Sequence, residues 1–381
     1  MEFVERAEKG ETVASLASEF GISRAAGYKW LKRHKEEGFD GLEEKSRRPK
    51  SVPLATAEDI VLAVLALRKD HSTWGPRKLR VVLRRKLKSD TPSERTIARI
   101  LKRADKIRQR RKRRPINVVE FAPNTTSKHP NDIWTVDFKG YWRARNGERC
   151  DPLTIRDAFS RYVLLALHSS STLDAVKAAF QRLFRQHGLP NAIQCDNGEP
   201  FVCVTARGGL SRLSAWWVSL GIRLIRSRPG CPQDNGGHER MHADIAAEIE
   251  SEPGASAEVE QRRLARWRQV FNHVRPHDAL DGKTPAEIYK VTDRRPFRAV
   301  RYSYPEQMYR RRVSKNGRVG LKQETYFVGQ ALAGFDVGIE LLDPMHARIW
   351  FHSLDLGILE LVPDESCFPV QPRTAKARRA G

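Results

Sequence analysis

The segment Ile133–Phe138, with the sequence IWTVDF, decides how the middle of this chain folds. Its apolar residues are mostly aromatic or β-branched and stop beside a carboxylate, which is typical of a short buried strand. Four more segments show a similar pattern of short apolar runs. They are Leu153–Ile155, Tyr162–Leu167, Ala192–Cys195 and Arg223–Ile225.

Amphipathic helices are predicted between and after these strands. In Leu173–His187, apolar side chains recur at helical spacing, and Gly188 and Pro190 end the helix. The other predicted helices are Leu213–Leu220, Asn235–Ile249 and Val259–Asn272. Three strands followed by alternating helices and strands predict a mixed α/β sheet. We assign residues 132–291 to this central domain.

The first part of the chain has the pattern of a helix-turn-helix. Residues 12–37 predict two short helices separated by a turn at Gly21, with Ser23 as the cap of the second helix. The second helix of such a unit enters the DNA major groove. We assign residues 1–48 to this unit, and an ordinary helical hairpin is the alternative. The side chains expected to contact DNA are Ser23, Arg24, Lys29 and Lys32.

A second unit of the same kind is predicted at residues 54–114. Trp74-Gly75-Pro76 opens a basic helix, and Ser93 caps the helix that follows. Arg95, Thr96 and Arg99 are expected to face DNA from that helix. Residues 102–114 then form a strongly basic arm, in which Arg110 and Arg111 are expected to follow the phosphate backbone.

The remaining segments are simpler. Residues 115–131 predict an extended linker. Residues 296–363 contain short apolar runs separated by turn residues, and strands at such close spacing predict a small antiparallel β-barrel. Residues 364–381 form a polar, basic tail.

The charge of the chain favours a polyanionic partner. Its 381 residues include 69 Lys and Arg against 46 Asp and Glu, which gives a net charge of +23. Residues 1–116 alone carry 31 Lys and Arg against 16 Asp and Glu. Nucleic acid is the simplest partner for such a basic segment. An anionic membrane surface, or a basic surface with no partner, are the alternatives.

Other classes of protein do not match the sequence. No apolar run reaches the length of about 18 residues expected of a membrane span, and the first residues lack the apolar region of a signal peptide. Five irregularly spaced Cys do not make a disulfide framework. We therefore expect a protein of the reducing cytosol.

Three carboxylates stand where an α/β protein places its chemistry. Asp137 and Asp196 follow apolar strands, and Glu239 lies in the first turns of a helix after a glycine-rich loop. A strand-end carboxylate that is buried needs a partner, which is either an arginine or a divalent cation. Carboxylate oxygens suit Mg²⁺ or Mn²⁺. Two such ions, about 3.5–4 Å apart, would clamp the attacking and leaving oxygens of a phosphodiester exchange.

Several neighbouring residues have a second interpretation. Lys139, Arg228 and His238 are expected to contact DNA near the carboxylates, although His238 also fits a packing role. Asp157 is interpreted as a turn residue rather than a ligand, and Asp234 as a helix cap. Asn197 and Gln233 either contact DNA or order the site. The sequence contains no zinc-binding unit, nucleophile elbow or P-loop.

Five motifs carry a resemblance to a known family. They are VDF at 136–138, DNGEPF at 196–201, PQDNGGHER at 232–240, FNHVRPHDAL at 271–280 and TPAEIY at 284–289. With them the chain resembles the DDE transposases of bacterial insertion sequences, in the retroviral-integrase-like superfamily. The resemblance covers about residues 131–290. It implies an RNase H-like core with Asp137, Asp196 and Glu239 as metal ligands.

One spacing departs from many members of the family. Between Asp196 and Glu239 lie 42 residues, more than in many relatives. The extra length is assigned to the glycine-containing loop 203–212, where an insertion costs little entropy.

The resemblance also implies a function. A transposase would bind the terminal repeats of its element, cleave the 3′ ends with two Mg²⁺ or Mn²⁺ ions and transfer the strands into target DNA. It would act as a dimer or higher oligomer on double-stranded DNA, with the barrel gripping DNA or a second subunit. The alternatives are a non-catalytic, domesticated DNA-binding regulator and a nuclease of the same fold that cuts without joining.

Overall fold

The computed structural model describes residues 1–44, 56–107, 126–228 and 231–362. The chain divides into two compact units, Met1–Ala57 and Glu58–Gly381. Three predictions lie outside the described residues: the backbone contacts Arg110 and Arg111, most of the linker, and the basic tail. No helix among the described residues is long and apolar enough to cross a membrane.

The first unit contains three helices around a small apolar core. They are α1 (Glu2–Glu8), α2 (Val13–Glu19) and α3 (Arg24–Glu37). The Ser23 hydroxyl accepts from the Ala26 N–H at 3.1 Å, so Ser23 caps α3 as predicted. Sequence reasoning did not identify α1. It is held by tertiary packing, since a side chain added at Gly27 would lie 2.7 Å from the Phe3 ring.

The second unit begins with three helices, which we call the second helical unit. They are α4 (Glu58–Asp70), α5 (Pro76–Leu87) and α6 (Glu94–Arg103). Pro76 occupies the first position of α5, where its missing N–H costs nothing. Ser93 caps α6 through the Thr96 N–H at 3.1 Å. Val64, Trp74, Leu79 and Ile97 are buried in the core between these helices.

A five-stranded mixed sheet forms the central domain. Its strands are β1 (Ile133–Phe138), β4 (Pro152–Asp157), β5 (Val163–His168), β6 (Ala192–Cys195) and β7 (Arg223–Arg226). A separate short hairpin, β2 (Trp142–Arg143) and β3 (Arg149–Cys150), lies between β1 and β4 in the chain. The order in the sheet is β5-β4-β1-β6-β7. The β1–β4 and β4–β5 pairs are antiparallel, and β1–β6 and β6–β7 are parallel. The predicted mixed α/β sheet is confirmed.

Helices cover both faces of this sheet. They are α7 (Leu173–His187), α8 (Arg212–Ser219), α9 (Gly236–Ile245), α10 (Ala257–His273) and the short α11 (Pro285–Ile288), and a π-helical turn, Ala246–Glu250, extends α9. Phe180 and Trp217 pack on one face with Trp134, whereas Met241 and Trp267 belong to the core on the other face. The sheet is therefore buried on both sides, and its ends are the exposed places for a site.

The C-terminal part is β-structure, but the predicted closed barrel is not confirmed. Its strands are β8 (Tyr309–Arg312), β9 (Arg318–Leu321), β10 (Glu324–Phe327), β11 (Asp336–Asp343), β12 (His346–Phe351) and β13 (Leu354–Glu360). They form a four-stranded antiparallel sheet, β13-β12-β11-β8, and a separate β9–β10 pair. Leu210, Ala215 and Val218 of the central domain join their apolar core, so part of that core is covered by the central domain instead of by barrel closure.

Candidate active site

Asp137 and Asp196 lie side by side at one end of the central sheet. In the parallel β1–β6 pair, Thr135 is opposite Gln194. Asp137 and Asp196 each lie two residues further along, and residues two apart on a strand share a face. The register that follows the predicted strands thus brings these two carboxylates together.

The carboxylate of Asp137 is partly buried and lies near two others. Asn235 Nδ2 donates to Asp137 Oδ2 at 2.8 Å. Burial raises the pKa of Asp137 to about 7, and the charge of Asp196 adds to this, with a smaller contribution from Glu239. The Asn235 hydrogen bond opposes the rise. The three acidic groups therefore act on one another electrostatically.

Asp196 is oriented by the loop that follows β6. The Gly198 N–H donates to Asp196 Oδ1 at 3.1 Å. A Cβ at position 198 would lie only 3.1 Å from the Asp196 carboxylate, so glycine keeps this approach open. Asn197 Nδ2 donates to the Ser227 carbonyl at 2.9 Å, which ties the loop to the end of β7. Asn197 was expected either to contact DNA or to order the site, and this hydrogen bond orders the loop beside Asp196.

Glu239 lies on the first turns of α9 and is exposed. This end of the helix rests on Arg156 of β4, whose Nη1 donates to the Gly237 carbonyl at 2.7 Å. A Cβ at Gly237 would meet the Arg156 guanidinium at 2.5 Å. Glycine at 237 therefore lets the buried arginine support the turn that carries Glu239.

The three carboxylates do not form a complete metal-binding site in this structure. Within the described ranges, no group of three His, Cys, Asp or Glu side chains is close enough to hold an ion. Asp137 and Asp196 share the end of the sheet, and Glu239 stands at the edge of the same site.

His238 does not occupy the position predicted for a DNA contact. Only 1% of it is exposed, and its Nδ1 lies 3.1 Å from Asn235 Oδ1. Burial, together with Arg156 and His242, holds the pKa of His238 well below its usual range. As an amide oxygen only accepts, His238 Nδ1 is the donor, and this leaves the Asn235 amide to donate to Asp137. The prediction was wrong, because the helix face that bears His238 packs on the sheet.

Lys139 and Arg228 are each paired with a carboxylate of the protein. The Lys139 side chain is 8% exposed, forms an ion pair with Glu250 and lies 5.0 Å from the Trp142 ring centre. This pairing corrects the prediction that its ammonium group faces a phosphate. Arg228 Nη2 donates to Asp234 Oδ1 at 2.7 Å. Asp234 anchors this arginine and does not cap α9, which corrects its interpretation.

Asp157 has the predicted structural role. It is buried and accepts hydrogen bonds from the Asn131 N–H and the Ser160 N–H, both at 2.8 Å. The Ser160 hydroxyl donates to it at 2.6 Å. These three donors fix the turn after β4, so Asp157 is a turn residue.

The predicted DNA contacts of the two helical units lie at the surface. Arg24, Lys29 and Lys32 are exposed on α3, and Arg95 and Arg99 are exposed on α6. The hydroxyls of Ser23 and Thr96 take part in local contacts at the starts of these helices. Their contact with DNA stays a prediction.

The raised pKa of Asp137 predicts how stability depends on pH. With a folded pKa of about 7 against an ordinary 3.8, the folded protein holds more protons between these values. The free energy of unfolding therefore falls as pH rises from about 4 to about 7. Asn at position 137 stays neutral and still accepts from Asn235. We expect Asp137→Asn to melt above wild type beyond pH 7 in metal-free buffer, measured by calorimetry. A difference that does not shrink towards pH 4 would contradict this.

Four family models match the chain. Two describe an integrase core domain and match residues 127–232 and 220–285. A helix-turn-helix domain matches residues 1–50, and a homeodomain-like domain matches residues 26–101.

Two curated relatives come from bacterial insertion elements. A 39.2 kDa protein of insertion element IS476 from Xanthomonas euvesicatoria is 29% identical over 286 residues, which are 74% of this chain and 79% of that protein. A 31.7 kDa protein of IS407 from Burkholderia multivorans is 29% identical over 237 residues, 61% of this chain and 81% of that protein.

Among solved structures, the magnesium complex of the HTLV-2 integrase catalytic core domain, in its dimeric form, is 18% identical to the chain. It covers 42% of this chain and 98% of its own length, with a TM-score of 0.32. The family models and the insertion-element relatives together confirm the resemblance that the five motifs indicated.

Proposed function

We propose that this chain, an insertion-sequence transposase of the integrase-like superfamily, binds the terminal repeats of its element, cleaves their 3′ ends and transfers them into target DNA. The observation that carries the proposal is the pair Asp137 and Asp196, level on two parallel strands, with Glu239 acting on the same site. Two carboxylates at an open sheet end would repel a polyanionic substrate, so such a substrate can bind there only when cations lie between the carboxylates and the phosphates.

The donor set fits divalent metal ions by its chemistry, although the three carboxylates stand further apart than direct ligands of one ion would. Asp137, Asp196 and Glu239 present hard carboxylate oxygens, and burial, with the charges of Asp196 and Glu239 added, raises the pKa of Asp137. These residues would hold two Mg²⁺ or Mn²⁺ ions, which supply activation of the attacking hydroxyl or water and stabilisation of the leaving oxygen.

Other residues of the chain hold these carboxylates in place. Asn235 orients Asp137 through its amide nitrogen, and the hydrogen bond from His238 to the amide oxygen fixes Asn235. The Gly198 N–H orients Asp196. None of these groups is a nucleophile placed to attack phosphorus, which supports direct phosphoryl transfer without a covalent protein intermediate.

The helical units are the proposed DNA readers. Their exposed basic residues on α3 and α6 stand in the helices that follow Ser23 and Ser93, the positions where a helix-turn-helix meets the major groove. Joining two ends to a target needs two active sites, so we propose assembly of at least a dimer on DNA.

Metal uptake has a readout that does not depend on activity. We expect Mg²⁺ to raise the melting temperature of wild type beyond pH 7, since a ligand of the folded state stabilises it by mass action. The gain should be smaller in Asp137→Asn. It should also decline as pH falls through about 7, because a proton then competes for Asp137. An equal gain in both proteins would place the ion elsewhere.

The proposed function is tested by incubating wild type with labelled element-end duplex, plasmid target and Mg²⁺ or Mn²⁺. We expect nicked 3′ ends and products joined to the plasmid. Nicks without joined products would favour the nuclease of the same fold. Tight binding with neither product, under every ion and end tried, would favour the domesticated regulator.

A further inference from the structure

A basic cavity borders the candidate active site, between the second helical unit and the central domain. Its volume is about 250 Å³. The cations that line it are Lys78, Arg156, Arg161, Arg240 and Arg275, and the acids are Asp244 and Asp278. Arg156 and Gly237, whose hydrogen bond supports the start of α9, also line this cavity.

The two acids of this cavity are already paired. Asp244 Oδ1 lies 2.7 Å from Arg275 Nη2. Asp278 Oδ1 lies 3.3 Å from Nε of Arg77, which does not line the cavity. The acids therefore leave most of the cationic charge of the lining uncompensated.

Three of the cations have no partner of their own. In the described part of the chain, the side chains of Lys78, Arg161 and Arg240 form no hydrogen bond and no ion pair. Burial lowers the pKa of Lys78, and the neighbouring Arg275 and Arg240 lower it further, while the charges of Asp244 and Asp278 oppose this shift. Burial also lowers the pKa of Arg161. Lys78 and Arg161 are half-buried, whereas Arg240 is exposed at the mouth of the cavity. Holding like charges together where water is partly excluded is costly unless an anion joins them.

Three other lining residues carry buried nitrogen atoms without a partner. They are Arg156 Nε, Arg275 Nε and His277 Nε2; Arg156 and His277 are 8% exposed and Arg275 is 3% exposed. Buried polar atoms in native proteins usually have a partner, so unpaired ones beside a charged cavity indicate a missing polar ligand.

We propose that this cavity binds one phosphate of the DNA backbone, next to the phosphate that is cleaved. The proposal rests on the proposed function. Arg240 follows Glu239 directly on α9, so the cavity and the carboxylate site are built on the same turn of this helix. Lys78 comes from α5, and the ion pair of Arg85 with Glu287 at 3.2 Å helps to hold α5 against the central domain. The docked second helical unit thus completes the site.

The phosphate site also gives a role to the FNHVRPHDAL motif at 271–280, which the carboxylates do not use. Arg275 and His277 form one wall of the cavity. The His277 ring packs against Phe271 with centroids 4.6 Å apart. The motif therefore shapes the cavity, whereas the unpartnered cations hold the anion.

The test is the salt dependence of DNA binding by the full chain. Fluorescence anisotropy with a labelled duplex is measured at several KCl concentrations for wild type and for Lys78→Gln/Arg161→Gln/Arg240→Gln. Because the three cations share one phosphate, we expect the slope of log K against log salt to be less steep in the triple variant, by about 0.9. Three separate surface contacts would reduce the steepness by about 2.7, and an unchanged slope would mean that these side chains contact no phosphate. Either result overturns the proposal.

A control variant and a second ligand keep the result specific. Arg182→Gln removes an exposed arginine of α7 outside the cavity and should leave the slope unchanged. Inorganic phosphate, compared with chloride at equal ionic strength, should raise the melting temperature of wild type but not of the triple variant. The triple variant loses no protein partner, so its melt without phosphate should be at least as high as that of wild type.

The outcomes separate this proposal from the proposed function. A phosphate response with an unchanged DNA slope would mean that the cavity holds a free phosphate, and no phosphate response in wild type would mean that it holds none. Both results would overturn this inference without affecting the proposed transposase function. Cleavage and joining that fail in wild type overturn the proposed function instead, and a wild type that binds no DNA overturns both.

Discussion

Asp137→Asn, Asp196→Asn and Glu239→Gln should each slow end cleavage and strand transfer about a thousandfold or more. At 1.36 kcal/mol per factor of ten, this corresponds to about 4 kcal/mol of lost transition-state stabilisation. The reason is that an amide is a weak ligand for a hard divalent cation, and cation binding at this site is proposed to carry the chemistry.

DNA binding should persist in all three variants. Each substitution removes a negative charge from a surface that meets phosphates, so affinity should stay equal or rise slightly. Cleavage is measured on labelled end duplexes, joining on a plasmid target, and binding by anisotropy. Asp174→Asn, an exposed carboxylate in the first turn of α7, serves as the matched control and should keep wild-type rates.

Glu239 is the most informative of the three. It is exposed, and its influence on the pKa of Asp137 is smaller than that of Asp196. Near-wild-type cleavage by Glu239→Gln, beside inactive Asp137→Asn, would assign the third carboxylate to another residue. Loss of both activities in every variant would support the three-carboxylate site.

Arg275→Ala should lower the free energy of unfolding by about 3 kcal/mol, the range expected when one partner of a buried ion pair is removed. The Arg275 side chain is 4% exposed and bridges Asp244 at 2.7 Å and Glu248 at 3.3 Å. Without it, two partly buried carboxylates of α9 and its π-helical extension face each other with no cation between them. Urea unfolding followed by tryptophan fluorescence measures the loss.

The matched control for this prediction is Arg266→Ala, an exposed arginine on α10. It should change stability by less than about 0.5 kcal/mol. Adding Asp244→Asn to Arg275→Ala should recover part of the loss, because it removes one of the stranded charges. A loss below about 1 kcal/mol in Arg275→Ala would mean that the bridge does not hold the end of α10 to α9.

Local patterns predicted the central sheet well. The bounds of β1, β6 and α7 agree with the structure, since each has a continuous apolar pattern with a clear stop such as Gly188. The β2–β3 hairpin was missed because its strands have two residues each and show no periodicity. It is held instead from a distance, as the Arg145 N–H donates to the Gly254 carbonyl at 2.9 Å.

The places of the three carboxylates were predicted from the sequence, because strand ends and helix starts are local features, and their metal chemistry stays a prediction. The roles of the basic residues around them were not. Lys139 pairs with Glu250, and His238 turns inward below Asn235. A basic residue looks the same in the sequence whether a distant carboxylate neutralises it or not.

The sequence by itself determined where the main strands and helices of the central domain lie, and hence that Asp137, Asp196 and Glu239 stand at element ends. Only the tertiary structure decided which cations are left without a carboxylate partner. Lys78, Arg161 and Arg240 come from elements far apart in the chain, and packing of the second helical unit on the central domain brings them together. Charge balance inside a folded protein depends on such long-range contacts, which no local pattern encodes.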